Sequence, residues 1–315
     1  MHGGGHASDG DEPEQTSGGL QRGHRRDRGH GGSPDHDTPI CVCADDFGLH
    51  AGVNKAVLSL VALGRVNAVS VMVGAPASRE GVDALNALVA CARPDIGLHL
   101  DLTQHPIGSS SRRSLGGLIA TCRIWPAERR VRAEITAQLD RFEDMIGRAP
   151  DFVDGHQHVH QLPGVREVLL GELSARYGNR PWIRHTRGPQ RACADESLLS
   201  RLKTWVIERT GANGLAREAC RKGFALNARL LGVYGFDTDD EGFLRLLGQW
   251  LAIAHEGDLL MCHPGIPGTG GDAIGAARYR EYLMLSDIRF AQLLAEMRIT
   301  LRPLSRILAT GRMIR

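Results

Sequence analysis

Two adjacent carboxylates, Asp45 and Asp46, directly follow the apolar run at 39–44. Two carboxylates at the end of a buried strand are costly to hold together unless a cation or a proton neutralises one of them. A divalent metal would meet this need, with one carboxylate as its ligand and the other free to act as a base. The pair therefore predicts metal-assisted chemistry at the end of this strand.

Histidines that could complete a metal site end two later apolar segments. His99 closes one of them, and His156 closes another and opens a stretch that also holds His158 and His160. One carboxylate and two imidazoles suit a hard or borderline divalent ion that keeps coordination positions open. In an extended conformation the three histidines of the stretch would point to one face. These residues together indicate a metal-dependent hydrolase.

Short apolar segments alternate with longer amphipathic ones from residue 39 onward. The predicted strands are 40–44, 68–73, 96–102, 152–159, 182–185, 258–262 and 299–302, and the predicted helices are 52–63, 79–92, 127–146, 164–177, 243–254 and 279–295. The segment 198–230 is predicted to be helical or irregular. This alternation favours parallel strands with crossover helices. We expect an α/β fold, a (β/α) barrel-like domain that could have fewer than eight strands.

The polar residues with the greatest chemical potential follow predicted strands. The carboxylate pair, His99, His156, Arg184 and His263 all stand at carboxyl ends of strands. Barrels and open α/β sheets place their sites at this edge. We therefore expect these side chains to share one pocket.

Composition restricts the remaining possibilities. Residues 1–38 are rich in Gly, His, Asp, Arg and Ser and have almost no large apolar side chain, which predicts a disordered tail before a domain at 39–315. The net charge of +2 gives no indication of nucleic-acid binding. No apolar run approaches the ~18 residues of a membrane span. Seven cysteines without paired zinc-type spacing favour reduced thiols and a cytoplasmic location.

Four motifs resemble the successive signatures of one enzyme family. They are Ala-Asp-Asp-Phe-Gly-Leu at 44–49, Gly-Leu-His-Leu-Asp-Leu-Thr at 97–103, Asp-Gly-His-Gln-His-Val-His at 154–160 and Cys-His-Pro-Gly at 262–265. In order and spacing they resemble the YdjC-like carbohydrate deacetylases, which include chitooligosaccharide and hopanoid-biosynthesis deacetylases. The resemblance runs from about residue 39 to about residue 290, and it also covers 232–236 and 280–282.

The resemblance implies removal of an N-acetyl group from an amino sugar or glycoconjugate. It implies that Asp46, His99 and His156 bind one divalent metal ion, Mg or Zn, that Asp45 is the general base, and that His263 is the general acid. The metal would activate a water, Asp45 would take its proton, and His263 would protonate the departing amine. The expected partner is an amino-sugar or glycoconjugate substrate, with no nucleic acid and no membrane span, and a homodimer is the candidate assembly.

The sequence leaves open the roles of other residues and two alternative functions. Arg184, His158 and His160 are candidates for contacts to the sugar. The family usually has Asn at the position of Cys43 and Ser at the position of His50, and neither is a ligand position. Two rival functions are a non-catalytic carbohydrate-binding protein on the same scaffold and a non-haem iron oxygenase with two histidines and one carboxylate. The carboxylate beside the metal ligand favours the hydrolase.

Overall fold

The structure is a computed structural model that describes Met1 and residues 37–108, 114–121, 125–189, 211–268 and 272–310. Its eight strands within these ranges are β1 (Thr38–Phe47), β2 (Ala68–Val71), β3 (Asp95–Leu100), β4 (Phe152–Gly155), β5 (Trp182–Ile183), β6 (Leu230–Leu231), β7 (Leu259–Cys262) and β8 (Ile299–Leu301). β1 begins inside the segment that the sequence predicted to be a tail, and the rest of that segment, apart from Met1 and Asp37, lies outside the described residues.

Helices follow most of these strands. They are α1 (Ala51–Ala62), α2 (Ser78–Ala92), α3 (Leu115–Thr121), α4 (Trp125–Ile146), α5 (Val165–Tyr177), α6 (Asn213–Arg221), α7 (Asp240–Ala252), α8 (Gly275–Ser286), α9 (Ile288–Glu296) and α10 (Leu304–Ala309), with a 3₁₀ helix at His156–Gln161. Helix α4 is the longest of them, and it buries Val131, Ile135, Leu139 and Phe142 at helical spacing.

The strands form one parallel sheet in the order β5-β4-β3-β2-β1-β7-β6, and β8 pairs with the first residues of β1. The sheet curls into a half-barrel. Residues Ile40 to Phe47 of β1 are buried, as expected for a strand covered on both faces. All strands run in the same direction, so their carboxyl ends meet at one edge. The predicted α/β fold with a barrel-like sheet is confirmed.

One glycine sets the packing between β3 and β4. A Cβ atom on Gly97 would lie 2.5 Å from the ring atoms of Phe152. Because Gly97 has no Cβ atom, Phe152 can lie flat against β3 and stack on Trp182, with ring centroids 4.2 Å apart. In the resulting register His99 is directly opposite Asp154. This apolar layer therefore fixes the positions of two polar residues at the edge of the sheet.

Two predicted elements are wrong in their extent. The strand predicted at 152–159 ends at Gly155, because Gln157 and His158 have φ angles of 52° and 58° and turn the chain into the 3₁₀ helix. The helix predicted at 279–295 is interrupted at Asp287, which has extended dihedral angles and whose side chain caps α9 by accepting a hydrogen bond from the backbone N–H of Arg289. Part of the segment 198–230 lies outside the described residues, and α6 occupies much of the remainder.

Among the described residues, no helix is both long enough and apolar enough to cross a membrane. Four cysteines in the described ranges, Cys41, Cys43, Cys220 and Cys262, are free thiols.

Candidate active site

A bulge at the end of β1 presents both carboxylates to one pocket. The register between β1 and β2 shifts between Ala44 and Phe47, and Asp46 has a φ angle of 65°. Side chains in a regular strand alternate between two faces, and a bulge interrupts this alternation. Asp45 and Asp46 consequently line the same cavity, although they are only 2% and 1% exposed. The left-handed backbone of Asp46 is a local strain that places the two carboxylates side by side.

The three predicted metal ligands converge in this pocket. His99 Nε2 lies 3.2 Å from Asp46 Oδ1, and His156 Nδ1 lies 3.0 Å from the same oxygen. One donor atom from each of these residues lies within 4.8 Å of the donors of the other two. The two imidazole rings meet edge to face, with centroids 5.6 Å apart. A single ion could therefore contact all three side chains.

The charge around these residues also fits a cation. Asp45, Asp46 and Asp154 are buried carboxylates, and the neighbouring permanent cations Arg184 and Arg278 are buried as well. Three negative charges therefore face two positive ones, which leaves a net negative charge that a bound cation could neutralise. In the metal-free protein a proton can fill part of this role. Burial alone would lower the pKa of His99, but the carboxylates raise it to about 10.

Asp154 orients the first of the histidines. His99 Nδ1 donates a hydrogen bond to Asp154 Oδ1 at 2.7 Å, and Ser70 Oγ donates to the same oxygen at 2.5 Å. A hydrogen on Nδ1 leaves Nε2, which faces Asp46, free to offer its lone pair to a metal. The sequence analysis assigned no role to Asp154 or Ser70.

Asp45 is held by a buried guanidinium. Arg184 Nη1 donates to Asp45 Oδ2 and Nη2 donates to Oδ1, both at 2.6 Å. Burial acts to raise the pKa of Asp45, but Arg184 lowers it to about 2. Arg184 Nη2 also lies 2.5 Å from Asp154 Oδ2. Arg184 thus connects the carboxylate predicted to be the base with the carboxylate that orients His99.

A second group of possible metal donors has a different explanation. Cys43, Asp45 and Asp154 also place donor atoms within 4.8 Å of one another. The guanidinium of Arg184 contacts all three, including Cys43 Sγ at 3.0 Å from Nη2. Its positive charge already serves these groups, so this cluster is an arginine site.

Arg278 binds Asp46, the carboxylate predicted to be a metal ligand, from its other side. Its Nη2 donates to Asp46 Oδ2 at 2.7 Å, and its Nε donates to Asp272 Oδ2 at 2.6 Å. Burial tends to raise the pKa of Asp46, but Arg278 and His156 keep it well below its usual range. Asp46 Oδ2 is hydrogen-bonded to Arg278, and Asp46 Oδ1 is the oxygen that faces both histidines.

His263 approaches Asp45 from the end of β7. Its Nε2 lies 3.9 Å from Asp45 Oδ2, and its side chain is 14% exposed. The rings of His263 and Phe236 meet edge to face, with centroids 5.4 Å apart. His263 therefore stands beside Asp45, at the same pocket.

The remaining sequence candidates occupy two different environments. His158 lines the pocket. His160 is fully buried and donates from Nε2 to the backbone oxygen of Arg184 at 3.0 Å, and burial lowers its pKa to about 4. Arg184 is also fully buried. His160 and Arg184 thus lie behind the pocket wall, where they support other side chains. The expectation that all three histidines of the stretch share a strand face is wrong, because the stretch is a 3₁₀ helix.

The loop after β3 forms part of the pocket wall and is firmly held. Asp101 accepts hydrogen bonds from the backbone N–H groups of Thr103, Gln104 and His105 at 2.6–2.9 Å. Gln138 of α4 donates to the backbone oxygen of Asp101 at 2.6 Å. The pocket residues Gln104 and His105 therefore have a fixed backbone.

The pocket has a volume of about 870 Å³, which lies in the range of small-molecule sites. Its lining includes Asp45, the three candidate metal ligands Asp46, His99 and His156, and an apolar wall. The apolar and aromatic members of the lining are Leu49, Pro76, Leu115, Val233, Tyr234, Phe236, Met261 and Ile274. A polar centre inside a partly apolar cavity is typical of sites that bind small organic molecules.

Sequence reasoning could have found some of the missed residues. Asp154 lies two positions before His156 and opposite His99 in the register, so a strand alignment could have indicated it. Arg278 and Glu281 lie on α8. Glu281 is part of the segment 280–282, which the resemblance covers but to which it gives no role, and Arg278 belongs to none of the motifs. Their spacing reveals that they share a helix face, but not that this face meets the pocket.

Comparisons with known proteins agree with this geometry. The model of a family described as "YdjC-like protein" matches residues 39–296. The carbohydrate deacetylase of Mus musculus is 33% identical over 272 residues, which cover 76% of this chain and 84% of that protein. The chitooligosaccharide deacetylase of Salmonella newport (strain SL254) is 26% identical over 236 residues, which cover 71% of this chain and 81% of that protein.

A solved structure supports the fold independently. The crystal structure of an Enterococcus faecalis protein named for cellobiose-phosphate cleavage has a TM-score of 0.60 and 21% identity, and the match covers 86% of this chain and 99% of that chain. At this identity the likeness concerns the fold alone. The family match covers strands β2 to β7, all of β1 except Thr38, both carboxylates and all candidate ligands, and on this basis the chain belongs to the YdjC-like protein family.

Proposed function

We propose that this protein is a metal-dependent hydrolase that removes an N-acetyl group from an amino sugar or glycoconjugate. The observation that carries the proposal is the convergence of Asp46, His99 and His156 beside Asp45 and His263. The names of the curated relatives, carbohydrate deacetylase and chitooligosaccharide deacetylase, support the substrate class.

The donor set supports a single divalent ion, Zn or Mg. In this proposal Asp46 provides one carboxylate oxygen, and His99 and His156 provide one imidazole nitrogen each. Mixed nitrogen and oxygen ligation suits Zn, and open positions filled by water suit Mg. Such an ion, when bound, lowers the pKa of a water molecule and polarises the acetyl carbonyl.

Asp45 is the general base in this proposal. Its two bonds to Arg184 fix the orientation of the carboxylate, and its low pKa keeps it ionised at neutral pH. An ionised carboxylate can accept the proton that the attacking water loses. Arg184 is accordingly reassigned from the substrate to Asp45, which it positions.

His263 is the general acid. When the C–N bond breaks, the leaving amine needs a proton, and His263 Nε2 can donate one. His263 Nε2 and Asp45 Oδ2 are 3.9 Å apart, so the proton taken up by Asp45 would return to His263 through a water molecule after the amine has left. The reaction then balances as amide plus water giving acetate plus amine, with both side chains restored.

Of the three residues that the sequence suggested for sugar contacts, only one keeps that role in this proposal. His158 lines the pocket and keeps its proposed role in substrate binding. His160 supports the Arg184 backbone from behind the pocket, so we propose a positioning role for it.

The two rival functions make different predictions. An iron oxygenase would use the same two histidines and one carboxylate, but it has no need for Asp45 and His263 beside them. A carbohydrate-binding protein would need neither the metal nor the base.

A panel of N-acetylated amino sugars tests the proposal. The full chain is stripped of metal with a chelator, and acetate release is measured after addition of Zn or Mg. We expect acetate from at least one substrate only after metal is added. Absence of acetate from every substrate with either metal, in a protein shown to be folded, would contradict the proposed function.

A further inference from the structure

Two motifs of the sequence have no role in the chemistry proposed above, namely 232–236 and 280–282. The fold brings them together at His263. Tyr234 Oη donates to Glu281 Oε1 at 2.7 Å, and the backbone N–H of His263 donates to Glu281 Oε2 at 2.5 Å. Both oxygens of Glu281 are therefore in use, one toward the segment after β6 and one toward the turn after β7.

Glu281 is buried, so its two hydrogen bonds offset the cost of removing its carboxyl group from water. Its side chain is 1% exposed, and burial raises the pKa of its carboxyl group. A carboxyl group in such a place is destabilising unless its oxygens have partners. A leucine or methionine of similar size would fill the same space without this cost. The carboxyl group is therefore placed to hold the backbone N–H of His263.

Helix α8 holds the turn after β7 at a second point. The backbone N–H of Gly265 donates to the backbone oxygen of Arg278 at 3.0 Å. A Cβ atom on Gly265 would lie 3.1 Å from the Cβ of Arg278, so the turn packs closely on the helix. Arg278 and Glu281 lie one helical turn apart, on the same face. The turn that carries His263 is thus fixed to α8 at both of its ends.

The same segment also fixes the ring of His263. The rings of Phe236 and His263 meet edge to face, and Phe236 has a φ angle of 66°, a conformation that few non-glycine residues adopt. Tyr234, which bonds Glu281, packs against Phe236 with ring centroids 4.7 Å apart. The carboxyl group of Glu281 therefore organises both the backbone and the aromatic neighbours of His263.

We propose that Glu281 is a positioning residue that holds His263 where its imidazole can donate a proton to the leaving amine. The proposal rests on the acid role given to His263 under the proposed function. Glu281 transfers no proton in this scheme. His263 loses its Nε2 proton to the amine nitrogen as the C–N bond breaks, and Glu281 keeps its bond to the His263 backbone throughout.

The test compares two substrates in the full-length, metal-loaded protein. Di-N-acetylchitobiose has a poor leaving group that needs a proton, and 4-nitrophenyl acetate has a good one that does not. Misplacing a catalytic group by about 1 Å can cost about 100-fold in rate. Glu281→Ala should lower kcat/KM for the amide by about 10–100-fold and leave the ester within about threefold. Zn affinity, measured by titration, should not change.

Two variants serve as controls. Glu281→Gln keeps a carbonyl oxygen for the His263 N–H, so it should restore most of the amide activity. Asp258→Ala removes another buried carboxylate, which pairs with Arg229 before the start of β7. It should lower stability without changing the ratio of amide to ester activity. In NMR spectra, Glu281→Ala should also move the backbone amide proton of His263 upfield, and Glu281→Gln should move it less.

The outcomes separate this proposal from the proposed function. Equal losses on both substrates in Glu281→Ala, or no loss on the amide in a folded variant, would overturn the role of Glu281. An amide-selective loss in His263→Ala without one in Glu281→Ala would do the same and leave the acid role intact. Absence of an amide-selective loss in His263→Ala would overturn the acid role itself. Tyr234→Phe, which frees only one oxygen of Glu281, replaces Glu281→Ala if that variant does not fold, with a smaller but still amide-selective loss expected.

Discussion

Replacing Asp154 by asparagine should weaken metal binding although Asp154 is not a ligand. Asp154 is fully buried and accepts the hydrogen bond from His99 Nδ1 at 2.7 Å. This bond selects the tautomer of His99 that leaves Nε2 free to bind a metal. Asparagine has a similar shape, but its amide NH₂ could instead donate to Nδ1 and stabilise the opposite tautomer.

The expected loss of metal affinity is taken from other proteins in which a hydrogen-bond partner of a metal ligand was removed. Loss of such a partner typically weakens metal affinity by about 10–100-fold, which corresponds to about 1.4–2.7 kcal/mol. At saturating metal, the stabilisation that the ion gives to the folded state should fall by the same amount. Arg184 keeps both bonds to Asp45, so the metal-free variant should lose less than the ~3–5 kcal/mol of a broken buried ion pair.

The assay is a metal titration by calorimetry, combined with thermal unfolding with and without Zn. Asp95→Asn is the matched control, because Asp95 is a buried carboxylate at the first residue of β3, the strand that carries His99, and it is bonded to Trp182 and Ser305. The control should lower the melting temperature but keep wild-type metal affinity. Wild-type affinity in Asp154→Asn, within about twofold, would refute the role given to this carboxylate.

Three further predictions concern the site and the tail. His99→Ala and His156→Ala should each abolish stoichiometric binding of the divalent ion, and full metal occupancy in both variants by elemental analysis would contradict the assigned ligand set. Asp45→Asn should retain the metal and lose roughly 10²–10⁴-fold in turnover, as expected for a general base, whereas Asp46→Asn should weaken metal binding; titrations with the reverse pattern would exchange the two roles. Deleting residues 2–33, which have almost no large apolar side chain, should leave the melting temperature and activity nearly unchanged, and a fall of more than a few degrees would show that the segment docks on the domain.

The alternation of apolar segments was sufficient to predict the fold class and the edge of the sheet that bears the site. Each parallel strand buried on both faces appears in the sequence as a short apolar run, so β1, β3 and β7 were identifiable with their terminal polar residues. Because parallel strands align their carboxyl ends, the convergence of His99 and Asp46 followed from the same pattern.

One of the two misjudged elements depends on a backbone conformation that sequence patterns do not encode, whereas the other had a signal in the sequence. Gln157 and His158 adopt left-handed angles, yet neither is a residue type that usually marks such a turn. Asp287 is a common N-cap residue and could have indicated the break between α8 and α9.

The roles of Arg184 and Arg278 required tertiary structure. Each is a buried cation with one partner carboxylate more than 100 positions away in the chain, Asp45 for Arg184 and Asp46 for Arg278. A surface arginine and a buried one look alike in a sequence, and only the packing of distant elements decides between them. The sequence therefore located the reactive groups, whereas the charges that orient them became visible only in the folded chain.

Hydrolysis in ¹⁸O-labelled water tests the central claim most directly. The metal-loaded protein is incubated without oxygen with the N-acetylated sugar that it prefers, and both products are quantified by mass spectrometry. The account predicts equal amounts of acetate and free amine, with one ¹⁸O atom from water in each acetate. A requirement for O₂, acetate without the label, or substrate that binds but remains intact would contradict it.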